Sequence, residues 1–251
     1  MINENGVPQI IYEDESIVAV VKPYGMIVNN ADTSQHAYTL QDWVIENIKN
    51  QKEKIKENDL TDFSSRAGIV HRLDKETSGI LLVAKNEEAF KNLQAQFKNR
   101  TIDKSYSALC HGVFSDEGRV AVPVGRLPWN RMRFGIVPEG RSAITDFKPV
   151  AVYEDPDDSK LRLTLLKAYP KTGRTHQIRV HLQYVGHPIY SDILYAGRKI
   201  SSRDRKRLGR HFLHAKEITF THPETNENLT LSSDLPSDLS EFLESLKEIK
   251  I

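Results

Sequence analysis

The stretch HRLDKETSG, residues 71–79, decides how the rest of the chain is interpreted. It lies between two apolar runs, residues 67–70 and 79–84, which are short enough to be buried strands. Asp74 is therefore expected in a short polar loop at the end of a strand, where a carboxylate is well placed to meet a substrate. Taken alone, the same aspartate could instead accept hydrogen bonds from the turn residues that follow it.

The composition is that of a globular protein of one large domain or two small ones. The chain has 251 residues, of which 39% are hydrophobic and 27% are charged. No apolar run approaches the roughly 20 residues that cross a bilayer, and the first residues carry neither a basic nor an apolar segment. One cysteine, Cys110, allows no internal disulfide. We expect a cytoplasmic monomer with no membrane contact.

Charge is distributed unevenly along the chain, although the formal net charge is only +1. Residues 162–216 hold thirteen Lys and Arg against two Asp, a local charge of +11. Residues 217–251 hold eight acids against two lysines, a local charge of −6. Such segregation favours a positive surface that binds phosphates, although a solvated charged face would show the same pattern.

Hydrophobic spacing and capping residues predict an α+β fold with a largely antiparallel sheet flanked by helices and loops. Strand patterns outnumber helical ones, and neighbouring strands often lack a helical crossover between them. An irregular loop or hairpin is expected over residues 119–141, an insertion over 49–65, and a C-terminal helix over 237–251. The remaining patterns predict strands near residues 10–12, 17–21, 104–113, 143–153, 161–168, 211–221 and 229–231, and helices after Thr39 and Asn86 and over 176–185.

Three blocks, in order, resemble one known family. Residues 71–79 resemble the signature His-Arg-Leu-Asp-x-x-Thr-Ser-Gly of the RluA family of RNA pseudouridine synthases at every fixed position. Residues 104–108, KSYSA, resemble the family's Lys-x-Tyr-x-Ala strand, and residues 172–182, TGRTHQIRVHL, resemble its third block. The likeness extends from about residue 10 to residue 231. It implies a pseudouridine synthase fold, a single catalytic domain over residues 1–251, and no N-terminal S4 domain.

The family's reaction explains the residue types. Isomerising uridine to pseudouridine breaks the N1–C1′ bond, turns the uracil and rejoins it through C5. The resemblance implies no cofactor and no metal, only a carboxylate that attacks ribose C1′ or uracil C6, or that removes the C2′ proton. The sequence leaves these three routes open.

The resemblance implies a role for each of three catalytic residues. Asp74 is the nucleophile, and Arg179 is its ion-pair partner, which would keep the carboxylate charged. Tyr106 stacks on the target uracil, and its hydroxyl assists removal of the C5 proton. By their residue types alone, Arg179 could instead contact a phosphate or lie on a helix surface, and Tyr106 could be core packing.

The same resemblance implies a set of substrate contacts around a base that has left its stack. Arg72 would fill the gap left by the base; otherwise it would pair with Glu76 or with the RNA backbone. Ile178 would pack on the other face of the uracil, and His71 would hold the loop by hydrogen bonds or contact RNA. The remaining expected contacts are Lys104, Arg174 and His176.

Basic side chains elsewhere are expected to contact the RNA backbone. Those of the 119–141 segment lie around Trp129, and the others could equally form a solvated surface helix. The expected backbone contacts are Arg126, Arg131, Arg133, Arg198, Lys199, Arg203 and Arg207.

Other functional classes fit less well. His176 and His181 are five residues apart and would not share a helical face, and no metal-ligand spacing or phosphate-binding glycine loop occurs. The remaining alternative is a non-catalytic RNA-binding or ribosome-assembly factor that uses the same basic face. For an enzyme, we expect the substrate to be a stem-loop of 23S rRNA, of tRNA, or of both.

Overall fold

The computed structural model describes residues 6–29, 37–48 and 61–250, with the backbone alone at 131 and 132. These residues form two compact units that are interleaved along the sequence. The first unit comprises Met1–Asp103 and Ala215–Asp234, and the second comprises Lys104–His214 and Leu235–Ile251. That both belong to a single catalytic domain stays a prediction.

Strands and helices alternate irregularly along the described residues. In chain order they are β1 (Gln9–Glu13), β2 (Ile17–Lys22), α1 (Leu40–Asn47), α2 (Asp62–Ser65), β3 (Ser78–Ala84), α3 (Glu87–Asn99), β4 (Asp103–His111), β5 (Gly118–Ala121), β6 (Val124–Leu127), β7 (Asn130–Ile136), β8 (Ile144–Asp155), β9 (Asp158–Pro170), α4 (Gln177–Tyr184), α5 (Arg198–Asp204), β10 (Leu213–Thr221), β11 (Asn228–Ser232), α6 (Ser237–Glu244) and β12 (Lys247–Ile249).

The first unit is a sheet with helices packed against its core. β1 pairs with β2, and β2 pairs with β3, both antiparallel. β11 pairs antiparallel with the part of β10 that belongs to this unit. Every residue of β2 and β3 is buried, and α3 packs Phe90 and Leu93 into the same hydrophobic cluster. Burial of both strands explains why they read as continuous apolar runs rather than alternating ones.

Local signals predicted the starts of α1 and α3 in this unit correctly. Thr39 caps α1 in a capping box with Asp42, and the Asn86 side chain accepts a hydrogen bond from the Ala89 amide at the start of α3. The strand predicted over residues 67–70 is wrong. Ala67 and Gly68 have positive φ angles of 50° and 77°, so the chain turns there and forms only an isolated bridge at Ile69.

The second unit is also built on antiparallel pairs. Its strand order is β4-β9-β8-β12, with β5 paired on β8, and the hairpin β6–β7 forms a separate two-stranded sheet. One hydrophobic cluster of its core includes Leu163, Ile178 and Phe212, and another includes Val180 and Tyr195. The hairpin alternative for residues 119–141 is therefore confirmed.

Two further predictions concern the ends of segments. The expected C-terminal helix ends at Glu244, and Lys247–Ile249 instead pairs with β8. Leu246, between the helix and this strand, is buried, and its burial stabilises the point where the helix gives way to the strand. Of the insertion expected over 49–65, residues 49–60 lie outside the described residues, and Asp62–Ser65 forms the short helix α2.

The α+β class with a largely antiparallel sheet is confirmed, since the pairs described within each unit are antiparallel. Within the described residues, no helix is long and apolar enough to cross a membrane.

Candidate active site

The Asp74 loop, residues 71–79, belongs to the first unit and leads directly into β3. Leu73 and Thr77 are buried, at 5% and 2% exposure, so both ends of the loop are anchored in the protein. The Thr77 amide donates to the Asp74 carbonyl at 3.1 Å and closes a turn. The Asp74 side chain is only half-buried. The backbone of the loop is thus fixed, and Asp74 is not fully enclosed by the protein.

His71 fixes the start of this loop. Its Nε2 accepts a hydrogen bond from the Leu82 amide at 3.0 Å, and its ring lies against Phe97 with 4.6 Å between ring centroids. Because Nε2 is the acceptor, the ring in this arrangement carries its proton on Nδ1. His71 therefore holds the loop by a hydrogen bond, as the sequence suggested; an RNA contact stays a prediction.

A buried lysine supports the loop from its other side. Lys22, at 0% exposure, donates from Nζ to the carbonyl oxygens of Pro23 at 2.8 Å, Met26 at 3.0 Å and Lys75 at 3.3 Å. The Lys75 carbonyl also accepts from the Gly25 amide at 2.7 Å. The residue directly after Asp74 is thereby fixed by a buried cation and a turn amide.

Gly79 ends the loop at a point where no side chain fits. Its φ is +122°, and a Cβ atom there would lie 2.3 Å from the Ala215 carbonyl oxygen and 2.5 Å from its amide nitrogen. The glycine lets β3 approach the neighbouring backbone closely.

Two side chains of the loop point to solvent. Arg72 and Lys75 are both exposed. The role of Arg72, toward the flipped base, Glu76 or the RNA backbone, stays a prediction.

Arg179 lies in the second unit, on α4, and is 4% exposed. Its Nε and Nη2 donate to the two carboxylate oxygens of Asp192 at 2.7 and 2.9 Å, a bidentate pair with a fully buried acid. Burial raises the pKa of Asp192, but the hydrogen bonds and charge of Arg179, together with His211 and the Leu194 amide, hold that pKa below its usual value. The alternative of Arg179 as a helix-surface residue is excluded.

Gln177 organises the turn before α4. Its Oε1 accepts from the Thr172 hydroxyl at 2.7 Å and from the Arg174 amide at 3.0 Å. Its Nε2 donates to the Ile144 carbonyl and to the Thr145 hydroxyl, each at 3.0 Å. This buried amide uses both of its ends to set the path of residues 172–176, on which Arg174 and His176 lie.

The two histidines of this region have separate environments. His176 accepts or donates at Nδ1 with the Tyr195 hydroxyl at 2.8 Å. His181 is fully buried between the Thr145 hydroxyl and the Val122 carbonyl, and burial lowers its pKa. Within the described residues, no group of three or more His, Cys, Asp or Glu side chains could hold a metal ion.

Tyr106 lies on β4 opposite Ala168 of β9 and is half-buried. It packs against the core cluster that contains Ile178, which is 6% exposed. Lys104, two residues earlier on the same strand, is also half-buried and shares its face of the sheet. The described contacts of Tyr106 and Ile178 are with the core, and their expected contacts with uracil stay predictions.

The family model "RNA pseudouridylate synthase" matches residues 16–184, about two thirds of the chain. The chain belongs to this family. The match covers the Asp74 loop, Tyr106 and Arg179.

Characterised and uncharacterised family members share sequence with almost the whole chain. An uncharacterized RNA pseudouridine synthase of Bacillus subtilis, YlyB, is 35% identical over 95% of this chain and 73% of its own length. Ribosomal large subunit pseudouridine synthase D of Nitrosomonas europaea is 36% identical over 96% of this chain, which spans 66% of that protein. The chain thus spans about two thirds to three quarters of these relatives.

Solved structures of the family share the fold. Human RNA Pseudouridylate Synthase Domain Containing 1 superposes with a TM-score of 0.73 at 22% identity, covering 99% of this chain and 91% of the human one. Human RNA Pseudouridylate Synthase Domain Containing 4 gives a TM-score of 0.69 at 24% identity, with coverages of 96% and 94%. The expected pseudouridine synthase fold is confirmed.

The basic stretch around α5 is less uniform than its sequence indicates. Arg210 is 1% exposed and pairs with Asp238 at 2.6 and 2.9 Å. Arg207 pairs with Asp155, and its guanidinium lies 5.5 Å from the centre of the Phe242 ring. These arginines join segments of the second unit. Members that reach solvent are Arg198, Lys199, Lys206, Arg207 and the half-exposed Arg203, which contacts Asp204.

The hairpin β6–β7 carries the other expected RNA contacts. Arg126 is exposed and lies 5.3 Å from the Phe134 ring centre, while Arg133 is half-buried against Tyr195 at 5.6 Å. Trp129, in the turn, is 80% exposed. The side chain of Arg131 lies outside the described residues.

Sequence reasoning missed the acid that holds Arg179. Asp192 is one of only two acids among thirteen basic residues in the 162–216 stretch, and Asp204 is the other. Both are fully buried, and Asp204 accepts from His111 at 2.8 Å. An isolated acid within a basic stretch was thus a usable signal of an internal ion pair. Lys22 gave no comparable signal, because a lysine at the end of a strand is ordinary.

Proposed function

We propose that this chain isomerises uridine to pseudouridine in a structured RNA, with Asp74 as the catalytic carboxylate. The observation that carries the proposal is the run of residues 71–79, whose backbone is fixed on both sides while Asp74 remains half-exposed. A carboxylate on a rigid edge loses little entropy when it meets the substrate. Membership of the RNA pseudouridylate synthase family supports the reaction class.

In the proposed reaction, Asp74 attacks C1′ or C6, or removes the C2′ proton, and the N1–C1′ bond breaks. The freed uracil turns, C5 bonds to C1′, and the C5 proton leaves. Tyr106 stacks on the uracil, and its hydroxyl takes part in removing that proton. These steps consume no oxidant, reductant or nucleotide, so the chain's own side chains suffice.

Arg179 is proposed as the charge partner of Asp74, and Arg72 as the side chain that occupies the gap left by the flipped uridine. The exposure of Arg72 supports a role toward RNA. Ile178, Lys104, Arg174 and His176 complete the proposed uridine contacts. Backbone contacts are assigned to the hairpin β6–β7 and to the solvent-facing cations of α5.

The proposed substrate is a stem-loop of ribosomal RNA, with tRNA as a possible second target, acted on in the cytoplasm by a monomer. Two of the similar proteins are named ribosomal large subunit pseudouridine synthase D, from Nitrosomonas europaea and Neisseria meningitidis. Pseudouridine mapping of rRNA and tRNA from a deletion strain identifies the nucleotide. An unchanged map in both RNAs would contradict this substrate class.

Tritium release from [5-³H]uridine-labelled rRNA tests the reaction directly. Wild type should release tritium, and Asp74→Asn should release none while its RNA affinity stays within about twofold, because backbone cations supply the affinity. Asp116→Asn, a change at another exposed aspartate, is the matched control. If wild type and Asp74→Asn release alike, or if neither does, the chain is not a synthase that uses Asp74, and a non-catalytic RNA-binding role gains support.

A further inference from the structure

Tyr195, in the second unit, contacts Arg179, His176 and Phe134, and it has no role in the function proposed above. Its side chain is buried, at 6% exposure. The guanidinium of Arg179 lies over its ring, 5.0 Å from the centroid. Its hydroxyl meets His176 Nδ1 at 2.8 Å and accepts from the Phe134 amide at 3.1 Å.

Asp192 and Tyr195 constrain Arg179 in complementary ways. The carboxylate holds two nitrogens of the guanidinium, and the central carbon of the guanidinium lies over the Tyr195 ring. The carboxylate also accepts from the Leu194 amide at 2.9 Å and the Tyr195 amide at 3.2 Å. One short segment, residues 192–195, therefore contacts the guanidinium through both a carboxylate and an aromatic ring.

The hairpin β6–β7 is attached to the same ring. Phe134, on β7, donates its amide to the Tyr195 hydroxyl, and its ring meets His176 edge-on with centroids 5.4 Å apart. Arg133 lies 5.6 Å from the Tyr195 centroid, and its buried Nε has no hydrogen-bond partner among the described residues. Contact with the ring, rather than a hydrogen bond at Nε, therefore holds this part of Arg133.

We propose that Tyr195 is a positioning residue with two separable actions. Its ring sets the tilt of Arg179, and its hydroxyl docks the hairpin that carries Arg126 and Arg133. The first action affects the chemical step, and the second affects how well RNA is held. The inference rests on the proposed function insofar as Arg179 serves the reaction and the hairpin contacts RNA.

Substitution at Tyr195 separates the two actions. Tyr195→Phe keeps the ring and removes both hydroxyl contacts, so KM for RNA should rise about fivefold while kcat falls less than about twofold. Tyr195→Leu removes the ring as well, and kcat should fall a further tenfold or so, the value of a desolvated cation–π contact. Tyr184→Leu, at the exposed end of α4, the helix that carries Arg179, is the matched control and should change neither constant.

The separate effects of the two variants on KM and on kcat test whether Tyr195 has the two proposed actions. A purely structural Tyr195 would lower kcat in proportion to the fraction of unfolded protein and would leave KM unchanged in both variants. Equal falls in kcat for Tyr195→Phe and Tyr195→Leu, or wild-type kcat in a folded Tyr195→Leu, would overturn the proposal. Should the leucine variant not fold, the isosteric Tyr195→Phe still tests it, because unchanged KM contradicts hairpin docking.

A measurement without RNA keeps this inference distinct from the proposed function. In ¹⁵N-labelled protein, the Arg179 Nε–H should exchange slowly with water, since it is buried and bonded to Asp192. Its exchange should quicken at least fivefold in Tyr195→Leu and remain slow in Tyr195→Phe. If wild type proves inactive on RNA yet shows this pattern, the proposed function fails and the positioning of Arg179 stands. Equal exchange in all three proteins would overturn the positioning.

Discussion

Replacing Asp192 by Asn should destabilise the second unit by about 3 kcal/mol, because it removes the buried carboxylate that binds two nitrogens of the Arg179 guanidinium. The side chains of the pair are 5% and 0% exposed, and they are joined at 2.7 and 2.9 Å. Asparagine keeps the shape and one oxygen that can accept from the Leu194 and Tyr195 amides. The loss is therefore mainly that of the charge. For a chain of this size it corresponds to a fall in Tm of about 6–12 °C.

An exposed pair with the same geometry provides the control. Arg119 and Asp146 are also bidentate, at 2.6 and 3.0 Å, but their side chains are 64% and 28% exposed. Asp146→Asn should cost less than about 1 kcal/mol, because water screens the exposed pair. Urea unfolding followed by circular dichroism measures both variants. Equal losses in the two variants would refute the argument that burial decides the value of the pair.

The pH dependence supplies a second check. Although burial raises the pKa of Asp192, Arg179 holds the net value below that of the unfolded chain. The charge of Asp192 therefore contributes stability above the unfolded pKa, about 3.9, and this contribution is lost as pH falls through the folded value. The difference in unfolding free energy between wild type and Asp192→Asn should be constant from about pH 5 to pH 8 and should narrow at lower pH. If the difference in unfolding free energy instead grew as the pH fell, the inferred direction of the Asp192 pKa shift would be wrong.

Three further changes probe the proposed site. Tyr106→Phe should keep RNA affinity and slow tritium release by about 10²-fold or more, the range of general acid–base catalysis, and wild-type release would rule out the hydroxyl's proton role. Gly79→Ala should prevent stable folding of the first unit, because its Cβ would lie 2.3 Å from the Ala215 carbonyl oxygen. Gly209 has open space around it, so the control variant Gly209→Ala should have a Tm within about 2 °C of wild type. Lys22→Met removes a charged donor to three carbonyl groups, so it should lower the free energy of unfolding by about 1.5–3 kcal/mol in urea and should also reduce turnover. Full turnover in this variant would mean that the Asp74 loop does not need the support of Lys22.

Features of the fold that depend on neighbours in sequence were predictable. The capping box at Thr39, the cap at Asn86 and the hairpin of β1 and β2 each rely on residues within a few positions of one another. Features that depend on distant partners were not. The last strand, Lys247–Ile249, forms because β8 offers an edge, and nothing within the segment itself distinguishes it from the end of a helix.

The candidate site divides in the same way. Asp74, Tyr106 and Arg179 were found from three local motifs, each recognisable within a dozen residues. The groups that hold them in place come from elsewhere in the chain. Lys22 lies about fifty positions before Asp74, and Asp192 lies beyond the end of α4, the helix that carries Arg179. The ion pairs of the basic stretch were not predictable for a related reason, since Asp155 and Asp238 reach Arg207 and Arg210 from distant segments.

The three hydrogen bonds from Lys22 described above end on backbone carbonyl groups, one of them that of Lys75 in the Asp74 loop. Arg72 and Lys75 can therefore change in identity while the path of the backbone stays the same, since both point to solvent. The part of the loop that presents the carboxylate and the part that faces outward are separate in their sequence requirements. A library randomised at positions 72 and 75 could thus be selected for new RNA targets without redesigning the loop that presents Asp74.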